Sequence, residues 1–152
     1  MIRYVVGDAT QPEGTGLRVI VHVCNDRGAW GAGFVLALSR RWVEPERLYH
    51  EHSSLTLGEV MFATVEDEIL VANMVAQRGF PNRENPIAID YSALSACLSQ
   101  VAHFCLEQEA TIHGPRFGAG IAGGDWKKIE AIIGRECCAR GVPVTIYDLP
   151  NN

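Results

Sequence analysis

Two glycine-rich segments are the parts of this sequence most able to do chemistry. Gly31-Ala32-Gly33 and residues 118–124 (GAGIAGG) each follow a predicted strand and open a predicted helix. Glycine lets backbone N–H groups approach a phosphate closely, and a helix N-terminus carries about half a positive charge. Two such loops facing one crevice, near the carboxyl ends of the strands, can hold a diphosphate from both sides. Either loop alone is weak evidence, because such a segment can equally be a simple tight turn.

The common phosphate-binding motifs do not explain either loop. Neither is followed by the Gly-Lys-Ser/Thr that completes a Walker A loop. Neither fits G-x-G-x-x-G with an acidic residue about 20 residues further on. The sequence therefore predicts a nucleotide-diphosphate site of another kind.

Two polar residues stand where predicted strands end and would reach the same crevice. Asp8 comes directly after the first strand, where its carboxylate can accept a hydrogen bond from an adenine amine. Asn25 ends the second strand, where its amide can orient a ribose hydroxyl or an attacking water. Both residue types also make turns with their own backbone, and for Asp8 the spacing alone favours the turn. His22, inside the second strand, is predicted to be a hydrogen-bonded core residue.

The composition is that of a globular protein without a broad basic surface. The 152 residues carry a net charge of -5, which argues against coating nucleic acid but leaves a local basic patch open. The length predicts a single domain spanning 1–152. The cysteines and histidines lack metal-ligand spacing, so free thiols, no metal site and no cofactor are expected. Because no apolar stretch reaches a membrane span of roughly 20 residues and no signal peptide is evident, we expect a cytoplasmic monomer.

Strands alternating with helices predict a mostly parallel sheet covered by helices on both faces. Strands are predicted at residues 2–6, 17–24, 60–65, 69–75, 111–113 and 142–149, with 60–65 and 69–75 forming a hairpin. Helices are predicted at residues 33–42, 45–53, 91–109 and 125–140. Asp125 is the expected N-cap of the last helix and Gly141 its C-terminal stop.

Taken in chain order, these pieces resemble a macrodomain. The segments that carry the resemblance are Gly7-Asp8-Ala9, His22-Val23-Cys24-Asn25, Trp30-Gly31-Ala32-Gly33-Phe34, Pro115-Arg116-Phe117-Gly118-Ala119-Gly120-Ile121 and Val144-Thr145-Ile146-Tyr147. Within the superfamily the chain is similar to the branch that contains the terminal ADP-ribose glycohydrolase of vertebrates and related small bacterial proteins. The resemblance implies a three-layer α/β/α fold with a mixed, mostly parallel central sheet and a cleft for ADP-ribose.

The resemblance also implies which residues meet ADP-ribose. Asp8 and Ala9 would contact the adenine, and Tyr147 and Leu149 would lie close to it. Asn25 would face the distal ribose, near the bond to be cut. The residues that would hold the rest of the ligand are Cys24, Trp30, Gly31, Ala32, Gly33, Phe34, Pro115, Arg116, Phe117, Gly118, Ala119, Gly120, Ile121, Ala122 and Gly123.

Two departures separate this chain from that glycohydrolase branch. The branch has a lysine, thought to attack the anomeric carbon, where this chain has Ala76-Gln77-Arg78. It also has an aspartate where this chain has Ala122, and the nearby Asp125 is better explained as a helix cap. A mechanism with a lysine nucleophile therefore does not transfer.

Catalysis without that lysine would rest on a positioned water. Asn25 or Gln77, with the ligand's own phosphates, would polarise the water, and diphosphate binding would strain the distal ribose. Asp26 is a candidate base, or a carboxylate merely paired with Arg27. We therefore expect a hydrolase that removes ADP-ribose from ADP-ribosylated macromolecules, at protein carboxylates or a nucleic-acid end. A reader that binds ADP-ribose without cutting and an ADP-ribose 1''-phosphate phosphatase remain alternatives.

Overall fold

A six-stranded mixed sheet forms the centre of the computed structural model, which describes residues 1–150. The strands are β1 (Ile2–Val6), β2 (Arg18–Asn25), β3 (Val60–Glu66), β4 (Ile69–Gln77), β5 (Thr111–Gly114) and β6 (Val144–Asp148). They lie in the order β1-β6-β5-β2-β4-β3. β3 is antiparallel to β4, and the other neighbouring pairs are parallel. The predicted hairpin and the mostly parallel sheet are confirmed. Residues 151 and 152 of the predicted domain lie outside the described residues.

Helices cover both faces of the sheet and complete three layers. The helices are α1 (Phe34–Arg41), α2 (Glu44–Glu51), α3 (Tyr91–Gln108) and α4 (Trp126–Glu136). In β2, Ile20 belongs to the core beneath α1 and α2, whereas Val19 and Val21 belong to the core beneath α3 and α4. A strand buried on both faces requires the near-continuous apolar run seen in the sequence. None of the helices in the described part of the chain is long and apolar enough to cross a membrane.

The last predicted helix, over residues 125–140, is wrong at its C-terminal end. α4 stops earlier, and Cys138–Arg140 forms a separate 3-10 turn that ends at Gly141. Cys137 is fully buried, and its carbonyl accepts hydrogen bonds from the N–H groups of Arg140 and Val142. These bonds turn the chain out of the helix and towards β6.

The ends of the parallel strands bring the predicted site residues to one edge of the sheet. The first glycine-rich segment follows β2, and residues 118–124 follow β5. A bulge between Cys24 and Asn25 shifts the register of β2 against β4, so that Asn25 pairs with Gln77. The fold therefore places two of the predicted catalytic residues side by side.

Candidate ligand-binding cleft

A cavity of about 460 Å³ opens at the carboxyl edge of the sheet, a size suited to a small-molecule ligand. The two glycine-rich segments form opposite walls, and the ends of β2 and β4 lie between them. Most of the predicted site residues line it: Cys24, Asn25, Trp30, Gly31, Ala32, Gly33, Phe34, Gln77, Pro115, Arg116, Phe117, Gly118, Gly120, Ile121 and Ala122. Further lining residues that the sequence analysis did not assign to the site are His22, Val23, Ala29, Val35 and Phe80.

The remaining predicted site residues do not line this cavity: Asp8, Ala9, Asp26, Ala119, Gly123, Tyr147 and Leu149. Asp8 makes the turn that its spacing favoured, because its Oδ1 accepts from the backbone N–H of Thr10 at 2.8 Å and from its hydroxyl at 2.7 Å. Tyr147 is buried, and its hydroxyl accepts from the N–H of Glu13 at 2.8 Å. Asp8 follows β1 and Tyr147 lies in β6, two strands that are not neighbours of β2 or β4 in the sheet. Their contact with adenine stays a prediction.

Both glycine-rich loops leave backbone N–H groups without protein partners. Within residues 1–150, the N–H groups of residues 31–33 and of 120–122 donate to no backbone acceptor. The loops hold unusual backbone shapes, because Gly33 has a φ of 83° and Gly123 a φ of 73°. A Cβ at Gly123 would also lie 2.4 Å from the carbonyl oxygen of Pro86. Runs of unpaired N–H groups in such turns form concavities that bind anions.

Asn25 is held by a dense set of hydrogen bonds around its own turn. Its Oδ1 accepts from the N–H of Arg27 at 2.9 Å and of Ala29 at 3.2 Å. Its Nδ2 donates to the carbonyl of Ala29 at 2.8 Å. Asn25 therefore makes the turn with its own backbone that the sequence left open, and it also lines the cavity.

Asp26 and Gln77 share one partner, the backbone of Gly79. The carboxylate of Asp26 accepts from the Gly79 N–H at 2.7 Å, and Nε2 of Gln77 donates to the Gly79 carbonyl at 2.9 Å. The next residue, Phe80, is half exposed at the cavity wall. Two residues predicted to be catalytic thus hold the segment that carries Phe80, and Asp26 acts there from outside the cavity.

The loop that carries Phe80 continues to α3, and near its end it is hydrogen-bonded to the second glycine-rich loop. The carbonyl of Ala122 accepts from the N–H groups of Ala88 at 2.8 Å and Ile89 at 3.1 Å. Ala122 occupies the position where the related branch has an aspartate. In this chain the position therefore contributes a backbone anchor and no ionisable group.

Arg116 is the only charged side chain that lines the cavity within residues 1–150. Its guanidinium donates to both carboxylate oxygens of Asp148, at 2.7 and 3.0 Å. This hydrogen-bonded pair raises the pKa of Arg116 and lowers the pKa of Asp148. The guanidinium also lies over the rings of Tyr4 at 5.0 Å and Trp126 at 5.3 Å. An ion pair that fixes the guanidinium in place therefore stands beside the second glycine-rich loop.

His22 is the hydrogen-bonded core residue that the sequence predicts, and it also lines the cavity. Its Nε2 lies 2.6 Å from Oδ1 of Asn73, whose Nδ2 donates to the carbonyl of Pro45. The oxygen of Asn73 therefore faces the imidazole, so Nε2 carries the proton. Burial lowers the pKa of His22 to about 4, which keeps the ring neutral at pH 7. Its edge meets Trp30, with ring centroids 5.4 Å apart.

These features define an α/β/α protein with a cleft between two glycine-rich loops at the carboxyl edge of its sheet. No protein-family profile matches the chain. A solved protein of unknown function from Bacteroides thetaiotaomicron is 45% identical, with a TM-score of 0.94 and 98% of each chain covered. A macrodomain protein from Streptomyces coelicolor is 42% identical, with a TM-score of 0.85, covering 97% of this chain and 99% of that one. The chain belongs to the macrodomain family, and the predicted fold is confirmed.

The first curated relatives are much longer proteins. Chromodomain-helicase-DNA-binding protein 1-like from Mus musculus is 33% identical over 164 residues, which cover 99% of this chain but 18% of that protein. ADP-ribose 1''-phosphate phosphatase from Lodderomyces elongisporus is 23% identical over 145 residues, covering 87% of this chain and 90% of that one. Thermosipho africanus DarTG, solved in complex with ADP-ribose, shares the fold at 15% identity and a TM-score of 0.67, over 88% of this chain and 38% of that one.

Proposed function

We propose that this chain binds ADP-ribose in the cleft, and binds ADP-ribosylated macromolecules through that group. The observation that carries the proposal is the pairing of two loops with unpaired N–H groups around a cavity. Within residues 1–150 the one charged side chain in its lining is Arg116, held in place by its pair with Asp148. A diphosphate needs donors and positive charge and is repelled by carboxylates. The apolar lining suits the sugars and the base, which have little charge.

Binding without cleavage is the function that the geometry supports best. Within residues 1–150 the cavity lining contains no lysine, aspartate or glutamate. The predicted base, Asp26, lies outside the lining and accepts a hydrogen bond from Gly79. A general base must reach the proton that it removes, and the lining offers no carboxylate that could. We therefore place the reader ahead of the hydrolase that the sequence favours.

Hydrolysis by a positioned water is the second candidate, and Gln77 is the residue that favours it. Only its Nε2 is engaged within residues 1–150, so its Oε1 remains free to accept a hydrogen bond from a water in the cavity. Gln77 also pairs with Asn25 at the strand ends, and both residues line the cavity. The similarity to ADP-ribose 1''-phosphate phosphatase from Lodderomyces elongisporus adds ADP-ribose 1''-phosphate as a substrate to test.

One series of measurements separates these functions. Calorimetry should detect binding of ADP-ribose, weaker binding of ADP and still weaker binding of AMP, because each step removes part of the ligand. The protein is then incubated with glutamate-ADP-ribosylated protein, ADP-ribosylated DNA and ADP-ribose 1''-phosphate, and free ADP-ribose is measured. Binding with no release supports the reader. Release that Gln77→Leu abolishes supports hydrolysis, and no binding of ADP-ribose refutes both.

A further inference from the structure

Tyr49 lies outside the cavity yet contacts the turn that presents Asn25. It is 1% exposed on α2, and its ring packs against Trp30 with centroids 5.3 Å apart. Its hydroxyl lies 2.6 Å from the carbonyl oxygen of Asn25 and 2.9 Å from Oδ1 of the same residue. It also accepts from the N–H of Gly28 at 3.1 Å. One hydroxyl thus connects the first residue of the turn to the fourth.

The hydrogen-bond partners of Asn25 determine which atoms of its side-chain amide remain free. Oδ1 has two lone pairs and accepts from the N–H groups of Arg27 and Ala29, so its accepting capacity is used without the single proton of Tyr49, which lies nearer the carbonyl oxygen of Asn25. Nδ2 has two N–H groups and uses one of them on the carbonyl of Ala29. The second N–H has no partner within residues 1–150, so it remains for a ligand in the cavity that Asn25 lines. Asn25 can therefore donate to a ligand oxygen, but its Oδ1 cannot accept a further hydrogen bond from an attacking water.

We propose that Tyr49 is a positioning residue, which fixes Asn25 as a hydrogen-bond donor to a hydroxyl of the sugar beyond the diphosphate. The inference rests on the proposed function, because it takes the two glycine-rich loops to hold that diphosphate. β4 lies on the other side of β2 from β5, β6 and β1. Since Asn25 pairs with Gln77 on β4, it stands on the side of the crevice away from Asp8. A ligand with its base near Asp8 therefore brings its second sugar to Asn25.

Burial supports the donor role of the Tyr49 hydroxyl. Desolvation raises the pKa of Tyr49, so the hydroxyl keeps its proton throughout the physiological range. Without that hydroxyl, the buried carbonyl of Asn25 and the partly buried N–H of Gly28 would each lose a hydrogen bond. The turn would then hold the amide of Asn25 less firmly, and the donor would be aimed less well.

The test compares ADP-ribose with ADP, which lacks the second sugar. In Tyr49→Phe, we expect calorimetry to show affinity for ADP-ribose falling about five- to tenfold, as for one lost hydrogen bond, while affinity for ADP stays within about twofold. Tyr91→Phe is the matched control. Its hydroxyl accepts from the N–H of Asp125 at 2.9 Å, at the start of α4, so its loss should leave the ratio of the two affinities unchanged.

The outcomes separate the positioning role from the proposed function. Equal losses for both ligands, or no loss for either, would overturn the role of Tyr49. If Tyr49→Phe does not fold, Asn25→Asp replaces it, since this isosteric change removes the donor. Its new charge repels both diphosphates, so the ratio of affinities still reports the sugar contact, and an unchanged ratio refutes the inference. Failure of the unaltered protein to bind ADP-ribose refutes the proposed function instead.

Discussion

Ile121, on the second glycine-rich loop, contacts Gly33, on the first. A Cβ atom at Gly33 would lie 3.0 Å from Cδ1 of Ile121. Both residues line the cavity, and the side chain of Ile121 is half exposed. The two walls of the cleft therefore approach each other through this half-exposed side chain. We expect the contact to slow the departure of a ligand held between the loops.

Truncating the side chain of Ile121 should remove this contact and speed the release of ADP-ribose. In Ile121→Ala, we expect the dissociation rate in stopped-flow measurements to rise roughly three- to tenfold, whereas stability changes by less than about 0.5 kcal/mol because the side chain is exposed. Ile87→Ala is the matched control, as Ile87 is equally exposed but does not line the cavity. A dissociation rate in Ile121→Ala no higher than in the control would show that the contact does not retain the ligand.

A carboxylate placed at Gly120 should abolish binding without disturbing the fold. An added Cβ at Gly120 meets no atom within 4 Å, and the residue lines the cavity. Two like charges about 4 Å apart repel by about 4 kcal/mol at an effective dielectric of 20, so Gly120→Glu should weaken ADP-ribose binding at least about a hundredfold.

Gly134→Glu provides the control for that change. Gly134 lies on α4, away from the cavity, and an added Cβ there also meets no atom within 4 Å. Calorimetry on both variants, with melting temperatures, separates charge in the cavity from charge elsewhere. If the two variants bind ADP-ribose equally well, the diphosphate does not lie at the second glycine-rich loop.

The fold was largely predictable because its signals are local. The run of apolar residues in β2 indicates a strand buried on both faces, and the three- and four-residue spacing in α3 indicates one helix. The predicted N-cap is confirmed, since the side chain of Asp125 accepts from the N–H of Lys127. The break in the last helix was missed because it depends on how the buried Cys137 packs, which no local pattern records. The single domain, the monomer, the cytoplasmic location and the absence of a metal site stay predictions.

The glycine-rich walls of the site were predictable, but the state of its polar groups was not. A sequence shows that Asn25 and Gln77 have donors and acceptors, but it does not show which of them are already used. Tyr49 is 24 residues from Asn25 in the chain, and its spacing carries no sign that the two meet. Phe80 lies in a polar segment without the hydrophobic periodicity of a helix or strand. Only the hydrogen bonds that Asp26 and Gln77 form with the backbone of Gly79 show why Phe80 stands at the cavity wall.

We expect Asp26 to hold in place the backbone segment that carries Phe80. Asp26→Ala removes the acceptor for the Gly79 N–H, so hydrogen exchange at Gly79 should quicken by about tenfold, as for one lost hydrogen bond. Asp26→Asn keeps an oxygen in the same place and should preserve the protection. Exchange followed by nuclear magnetic resonance measures both. If Asp26→Asn keeps Gly79 protected yet abolishes a measured release of ADP-ribose, Asp26 is the base after all.

The pH dependence of stability should be dominated by two buried histidines. Burial lowers the pKa of both His22 and His113 to about 4, against an ordinary value of about 6.5 in the unfolded chain. Above about pH 6.5 both histidines are neutral in the folded and in the unfolded chain, so their full contribution to the free energy of unfolding is present. Between about pH 6.5 and 4 the unfolded chain takes up protons that the folded one does not, so stability falls by about 1.4 kcal/mol per pH unit for each histidine.

Urea unfolding at pH 7.5, 6.5, 5.5 and 4.5 tests this slope. His113→Gln should roughly halve it, because an amide can still meet Thr111 and Tyr147, the present partners of the ring, without titrating. His103→Gln, at an exposed position on α3, should keep the full slope. The lowered pKa values of Asp90 and Asp148 act in a lower window, because these carboxylates lose their contribution only as pH falls below about 4. An unchanged slope in His113→Gln would mean that His113 takes up its proton without unfolding, through a local opening around Tyr147.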